Sequence, residues 1–408
     1  MEHVFEQSGN TFCVSFPKVG AFISVARIKE LSSGDYRGWV ELYAGDVKLH
    51  GSVVNLCLAS ARQTLQRSLN GKAGELPWGD MLDTACNEVI ARLQAGSPMV
   101  TISSDAPVAP EQFLIKPFLP MHEPTILFGR GGSCKSYVGL LLGIAAQLAW
   151  RNNPLGWTTP LKPVRVLVLD WETSRDVVHR RVKRLVKGMS LPAVNIDYRE
   201  CRGSLATEVD AVAGLVLQHK IGLVIVDSAG RAVGDDLNAP GPVNAFYAAL
   251  RQLDVTSLIV HHCAKNELTR EKTPFGSQYF EANARSAWFI EREREGSDTD
   301  FAVSLTNTKV NDSPKHPVVG LRVHFDNTPG QESTRFEATD LKHTEFADRM
   351  PLLEQIEAAL LRSSLTPAEL AEELGKPTST ISPVLSRHKD RFASLGAGKW
   401  GVTANVTK

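Results

Sequence analysis

Apolar positions along the chain change their period three times. In residues 1–96, two-residue alternation over Thr11–Phe16, Ala21–Arg27 and Trp39–Leu49 predicts a small sheet, and helical spacing over Val53–Leu69 and Trp78–Leu93 predicts two helices after it. Residues 97–114, with Pro98, Pro107 and Pro110 among them, read as a linker. Between 115 and 330, short runs rich in Val, Ile and Leu alternate with helical segments; the runs are Thr125–Phe128, Val164–Leu169, Leu223–Val226, Leu258–Val260 and Ser286–Ile290. Strands that are apolar at nearly every position have both faces covered, so this stretch predicts an α/β core whose mainly parallel sheet lies between helices. Asp300–Thr308 and Val318–Phe325 predict an antiparallel extension, a hairpin turning at Asn311-Asp312-Ser313. Residues 331–350 are polar and predict a loose connector, and 351–408 carry three short helical patterns and a strand pair near Trp400.

Composition narrows this picture. A chain of 408 residues has room for two or three domains, and 43% hydrophobic with 22% charged residues is the composition of a globular protein with a real core. Lysine plus arginine equals aspartate plus glutamate at 45 each, so no global charge draws the chain to nucleic acid, although a local basic surface is still allowed. The six cysteines are dispersed and form no CxxC pair, which excludes a disulfide framework or a zinc finger and fits a reducing, cytoplasmic compartment. No secretory signal opens the chain. The longest apolar run, Val138–Trp150, is broken by Gly and Gln and is too short to span a bilayer, so it predicts a buried helix and no membrane partner.

The strongest chemical signal is Gly129-Arg-Gly131-Gly132-Ser133-Cys134-Lys135-Ser136, between a predicted strand and a predicted helix. This is the setting of a phosphate-binding loop: glycines let successive N–H groups face the phosphates, and the following helix adds its positive end. Lys135 is expected on the β- and γ-phosphates and Ser136 on Mg²⁺, which makes ATP with Mg²⁺ the expected ligand. Cys134 stands where this loop type normally has glycine, and its Cβ crowds the turn. Asp170-Trp171-Glu172 ends the next predicted strand, expected beside the phosphate loop. Glu172 is the candidate general base, with Asp170 its rival in the same motif. Asp227, at the tip of Leu223–Val226 and about 90 residues after the loop, is the candidate second metal ligand. Leu258–Val260 runs into His261-His262, of which His262 is favoured as a γ-phosphate sensor.

These motifs, followed by Lys265, Gly276-Ser277, Asn283 and Arg285, resemble in their order the RecA/DnaB superfamily of ring ATPases, and within it the RepA-type hexameric helicases of plasmids and phages. The resemblance covers about 115–315, roughly half the chain. It implies a RecA-like core, a head-to-tail ring of six, and Arg285 as an arginine finger reaching into a neighbour's site. It also implies Lys309 as a second cation acting across that interface. Two loops, Gly230–Pro242 and Lys265–Pro274, would face the central channel, the second offering Lys265, Arg270 and Lys272 to a single-stranded DNA backbone.

The C-terminal stretch has its own signature. Thr366 caps a helix with Pro367 at its first position and Glu369 completing a capping box, and Gly375 ends it. A second helix follows, with Thr380 expected as its cap because this leaves Pro383 in the first turn. The strand pair near Trp400 would supply a wing, so the stretch resembles a winged helix-turn-helix. From Lys376 to Lys408 there are six Lys/Arg and one acid, which favours DNA contact through Arg387, Lys389 and Lys399, with protein contact as the other reading. The leading expectation is therefore an ATP-dependent DNA helicase or translocase serving a mobile element. The alternatives are a DNA-bound regulator or partitioning factor that uses ATP as an assembly switch, and a recombination ATPase.

Overall fold

The computed structural model describes residues 2–403 except 74–75, 97–98, 106, 108–109, 265–272, 295–296, 342–343, 345 and 347–349, and, at positions 70, 71 and 73, the backbone alone.

The N-terminal unit is a five-stranded antiparallel meander, β1 (Val4–Ser8), β2 (Thr11–Phe16), β3 (Ala21–Glu30), β4 (Tyr36–Ala44) and β5 (Val47–Asn55), covered by α1 (Ala59–Ala73) and α2 (Trp78–Ala95). Phe12, Val14, Ile23, Val40 and Leu42 point from the sheet into a core closed by Trp78, Met81 and Val89. Two expectations are corrected here. Trp39–Leu49 is not one strand: Gly45, at φ 55, turns the chain between β4 and β5. Val53–Asn55 is the end of β5 rather than the start of a helix, because β-branched Val53 and Val54 suit the sheet and the Asn55 side chain then accepts the Cys57 N–H to turn the chain.

After a short ribbon, β6 (Phe113–Ile115) with β7 (Leu119–Pro120), the core sheet begins. Its strands are β8 (Pro124–Gly129), β9 (Arg165–Asp170), β10 (Asp197–Glu200), β11 (Ile221–Asp227), β12 (Thr256–His262), β13 (Ser286–Arg292), β14 (Asp300–Val310), β15 (Val319–Asp326) and β16 (Ser333–Ala338). They lie in the order β10-β9-β11-β12-β8-β13-β14-β15-β16, parallel as far as β13 and antiparallel beyond. The connecting helices are α3 (Lys135–Leu148), α4 (Arg175–Gly188), α5 (Leu205–His219), α6 (Ala229–Ala232), α7 (Pro240–Leu253) and α8 (Tyr279–Asn283).

Alternate residues on each strand serve opposite helical layers, which is why the strands are apolar throughout. Val166, Val168, Leu223 and Ile225 pack with α3, while Leu167, Leu169, Val224 and Val226 pack with α5 and α7. The buried helix expected over Val138–Trp150 is α3, buried along most of its length. No helix among the described residues is long and apolar enough to cross a membrane.

The sheet departs from expectation in two places. The strand carrying Asp170 is not beside the phosphate-loop strand, since β11 and β12 lie between β9 and β8. The stretch 331–350 is not wholly a connector, because β16 pairs with β15 from Ser333 to Ala338 and buries Phe336. A strand with only two buried side chains, Phe336 and Thr334, gives almost no apolar pattern to read.

The C-terminal module is α9 (Leu352–Arg362), α10 (Pro367–Leu374) and α11 (Thr378–Arg387), then the hairpin β17 (Phe392–Gly396) and β18 (Lys399–Val402). Ile356, Leu370, Ile381, Leu385 and Phe392 give it a core of its own. The capping box forms as expected: Thr366 Oγ1 accepts the Glu369 N–H at 3.2 Å, and the Glu369 carboxylate accepts the Thr366 N–H at 2.7 Å. Gly375 closes that helix at φ 60. Thr380 is not a cap. The helix begins at Thr378 after Pro377, which places Pro383 inside it, where it has no N–H to donate to the preceding turn. Leu365 and Trp400 exchange two backbone hydrogen bonds, at 2.8 and 3.2 Å, and fasten the hairpin to the turn between α9 and α10.

Candidate nucleotide site

Parallel strands bring their C-terminal ends to one edge of the sheet, and the motif residues collect there. A cleft of about 410 Å³ is lined by Gly131–Tyr137, Glu172, Arg181, Asp227, Ser228, His262, Arg292, Asp298, Phe301 and Phe325. That volume is in the range of small-ligand sites. Glu172 reaches it from a strand three places away because all these strand ends open on the same side.

The loop's glycines do different things. A Cβ at Gly129 would lie 2.2 Å from the Ile290 carbonyl oxygen, so this glycine exists for the approach of β13. Gly131 and Gly132 face open space, and Gly132 adopts φ 77. They form the bare curl that phosphates need. Ser133 is buried and its hydroxyl donates to the Arg130 carbonyl at 2.8 Å, which closes the turn. Cys134 adopts φ 65 and ψ 17, the left-handed conformation that the usual glycine would take without strain. Burial pushes its thiol up to about 11, so it is a neutral, weakly reactive thiol at neutral pH.

Lys135 Nζ donates to the loop's own carbonyls, Gly129 at 3.0 Å and Arg130 at 2.6 Å, and burial lowers its pKa. Asp227 is buried at the tip of β11, where desolvation raises its pKa and a hydrogen bond donated by the Ser136 hydroxyl opposes the rise. A hydroxyl and a carboxylate oxygen side by side, next to a phosphate cradle, are the hard donor pair that Mg²⁺ prefers. The two residues therefore fit the ion and would be the side chains that hold it.

Burial and hydrogen bonding distinguish the two carboxylates of Asp170-Trp171-Glu172. Burial alone would raise the Asp170 pKa. Hydrogen bonds from the Thr173 hydroxyl and N–H, the Glu172 N–H and the Tyr198 hydroxyl outweigh that effect and lower it. Asp170 thus orders the loop, and Glu172 is the carboxylate that faces the cleft. His261 is buried, bonds the Phe275 carbonyl at 2.8 Å and has its pKa pushed down to about 4 by burial. His262 is the cleft-lining histidine, with Nε2 4.0 Å from Glu172 and its pKa lowered by burial and by the charge of Lys135.

Arg285 lies elsewhere. Its N–H bonds the Pro124 carbonyl at 2.9 Å, and Ser286 pairs with Thr125, so it sits level with the start of β8. The phosphate loop leaves the other end of that strand, roughly 16 Å away at about 3.3 Å per residue. The guanidinium is half exposed and pairs with Glu123 at 3.4 Å and with Asp312 at 4.0 Å. Lys309 Nζ donates to the carbonyls of Glu281, Ala282 and Ala284 at 2.7, 2.7 and 2.8 Å. That seat caps α8 and braces the segment bearing Arg285.

Lys265, Arg270 and Lys272 lie outside the described residues. The base of their loop is closed by Ala264 N–H to the Thr273 carbonyl at 3.1 Å and Phe275 N–H to the His262 carbonyl at 2.8 Å, next to the cleft. Arg387, Lys389 and Lys399 are all exposed on the C-terminal module, far along the chain from the cleft. Two cleft arginines went unread in the sequence. Arg181 reaches within 4.0 Å of Asp227, and Arg292 lies over the Phe301 ring at 3.8 Å while bonding Asp298 at 3.1 Å. Arg181 is one cation among many on α4. Arg292, at the C-terminal end of a predicted strand, was open to detection by the rule that such ends carry function.

A protein-family model described as an AAA domain matches residues 90–267. No curated protein matches the chain significantly. Among solved structures, a KaiC-like protein from the hyperthermophilic archaeon Pyrococcus horikoshii OT3 is similar at 12% identity and a TM-score of 0.37, over 56% of this chain and 94% of that one. Sheet order, phosphate loop and Asp227 fit a P-loop nucleotide-binding core, and the family match falls largely on the same residues. Its mostly parallel sheet, with helices on both faces, fits the expected RecA-like core.

Proposed function

We propose that the protein is an ATP-driven DNA translocase or helicase of RepA/DnaB type that works as a head-to-tail ring. In this reading Glu172 takes the proton of the attacking water, and His262, beside it, senses the γ-phosphate. Mg²⁺ on Ser136 and Asp227 would neutralise phosphate charge. The observation that carries the reading is the seat of Arg285: too far from its own phosphate loop to act there, half exposed, and held by Glu123 and Asp312 in a defined direction. A neighbouring subunit is what would give that cation a phosphate to stabilise. The loop between Ala264 and Thr273, carrying three basic residues, would meet single-stranded DNA, and the exposed cations of the C-terminal module would meet duplex.

Turnover of ATP with and without single-stranded DNA, alongside strand displacement on a forked duplex, tests this. DNA-stimulated turnover with unwinding is expected. Turnover without unwinding would retire the helicase, and turnover indifferent to DNA would retire the motor. A second reading, an ATP-dependent assembly switch on DNA, is favoured by one feature: Cys134 in left-handed conformation inside the phosphate loop. Tight nucleotide binding without turnover would bring it forward.

A further inference from the structure

The segment between β11 and α7 is tied to the loop that carries Glu172 by one side chain. Arg231 Nη1 donates to the Trp171 carbonyl at 3.2 Å. That carbonyl belongs to the peptide unit whose N–H, on Glu172, donates to Asp170 Oδ1 at 2.9 Å. A peptide unit is planar, so holding it at both its oxygen and its hydrogen fixes the direction in which the next Cα–Cβ bond points. Trp171 itself is anchored on two more sides. Its N–H donates to the Asp227 carbonyl at 2.8 Å and its indole to the Gly203 carbonyl at 2.7 Å. Of these contacts, those with Gly203 and Arg231 come from outside the β9 and β11 strand ends, and Arg231 is an exposed residue.

The same segment has a second attachment. Ser277 N–H donates to the Leu237 carbonyl at 2.7 Å, and a Cβ at Gly276 would lie 2.6 Å from that oxygen. Ser277 lies between the basic loop and the strand that begins after Arg285. Residues 231–237 therefore touch the loop of Glu172 at one end and the stretch leading to Arg285 at the other.

We infer that Arg231 is a positioning residue for Glu172, and that the 229–237 segment links the stretch leading to Arg285 with the carboxylate. The inference rests on Glu172 being the general base. A displacement of Leu237 would be felt at the Trp171–Glu172 peptide through Arg231, without any change in the phosphate loop. Such a residue governs turnover and leaves nucleotide affinity alone.

The test compares Arg231→Ala, Arg231→Lys and Glu172→Gln in the full-length chain. Nucleotide affinity is read with a fluorescent ATP analogue, turnover with and without single-stranded DNA, and folding by thermal unfolding. Arg231→Ala is expected to keep its affinity within about twofold and to lose turnover by roughly 10- to 100-fold, the scale of a small misplacement of a catalytic group. Arg231→Lys, which keeps a donor, should recover part of that loss. Equal loss of affinity and turnover, or no rescue by lysine, would overturn the positioning role, as would wild-type turnover in Arg231→Ala while Glu172→Gln is inactive. If Glu172→Gln itself turns over normally, the general-base reading fails first and the inference falls with it.

Discussion

Replacing Gly129 and Gly131 by alanine separates a glycine required by packing from one required by phosphate. At Gly129 the new Cβ would lie 2.2 Å from the Ile290 carbonyl oxygen, 2.9 Å from Ile290 Cγ2 and 3.0 Å from Ser133 Oγ. Ordinary carbon–oxygen contacts run to about 3.3 Å, so roughly 1 Å must be found. The obstructing atom is backbone of β13, hydrogen-bonded on one side to β8 and on the other to β14, and has little room to yield. Overpacking of this kind costs about 1–3 kcal/mol, and an immovable neighbour argues for the upper half of that range. For a core of this size about 2–3 kcal/mol lowers the unfolding midpoint by about 4–12 °C. At Gly131 a Cβ meets nothing within 4 Å, so stability should stay within about 0.5 kcal/mol while nucleotide affinity falls. Thermal unfolding and nucleotide titration of the two variants read both outcomes. A Gly129→Ala protein as stable as wild type, or a Gly131→Ala protein that binds ATP as tightly, would refute the division.

Two further predictions concern the same loop and the proposed metal ligand Asp227. Cys134→Gly removes a left-handed strain that Cys134→Ala retains, so the glycine variant should exceed the alanine variant by about 1 kcal/mol in denaturant unfolding. Asp227 has a folded-state pKa raised by burial, so its contribution to stability is fullest below its unfolded pKa and is lost as pH rises through the folded one. It follows that Asp227→Asn should unfold no earlier than wild type at pH 8. In wild type, Mg²⁺-dependent nucleotide binding should weaken with acidification from a pH above the usual carboxylate range, since protonated Asp227 cannot hold the ion.

Much of this was legible from residue order. Each of the five apolar runs read as core strands is a core strand, because a strand buried on both faces must be apolar at successive positions. The phosphate loop and its flanks follow from local chemistry, as does the capping box at Thr366. Strand neighbours were not legible. Nothing in the composition of Val164–Leu169 says that two other strands will come between it and β8, since adjacency in a parallel sheet is decided by crossovers. Edge strands escaped for a related reason: Asp-Tyr-Arg-Glu in β10 and Ser-Thr-Arg-Phe-Glu-Ala in β16 bury too little to show a pattern. Lys309 shows the limit for single residues. Nothing beside it in the sequence says that its Nζ will meet the carbonyls of Glu281, Ala282 and Ala284.

The most direct test of a shared site is to mix two inactive proteins. Lys135→Ala lacks a working phosphate loop and Arg285→Ala lacks the cation proposed to act across the interface, so each alone should show almost no DNA-stimulated turnover. Combined in equal amounts and reassembled, about one interface in four would join an intact loop to an intact Arg285, and turnover near a quarter of the wild-type value is expected. No recovery on mixing, with both variants folded and co-assembled, or full activity of Arg285→Ala by itself, would contradict the proposed ring ATPase.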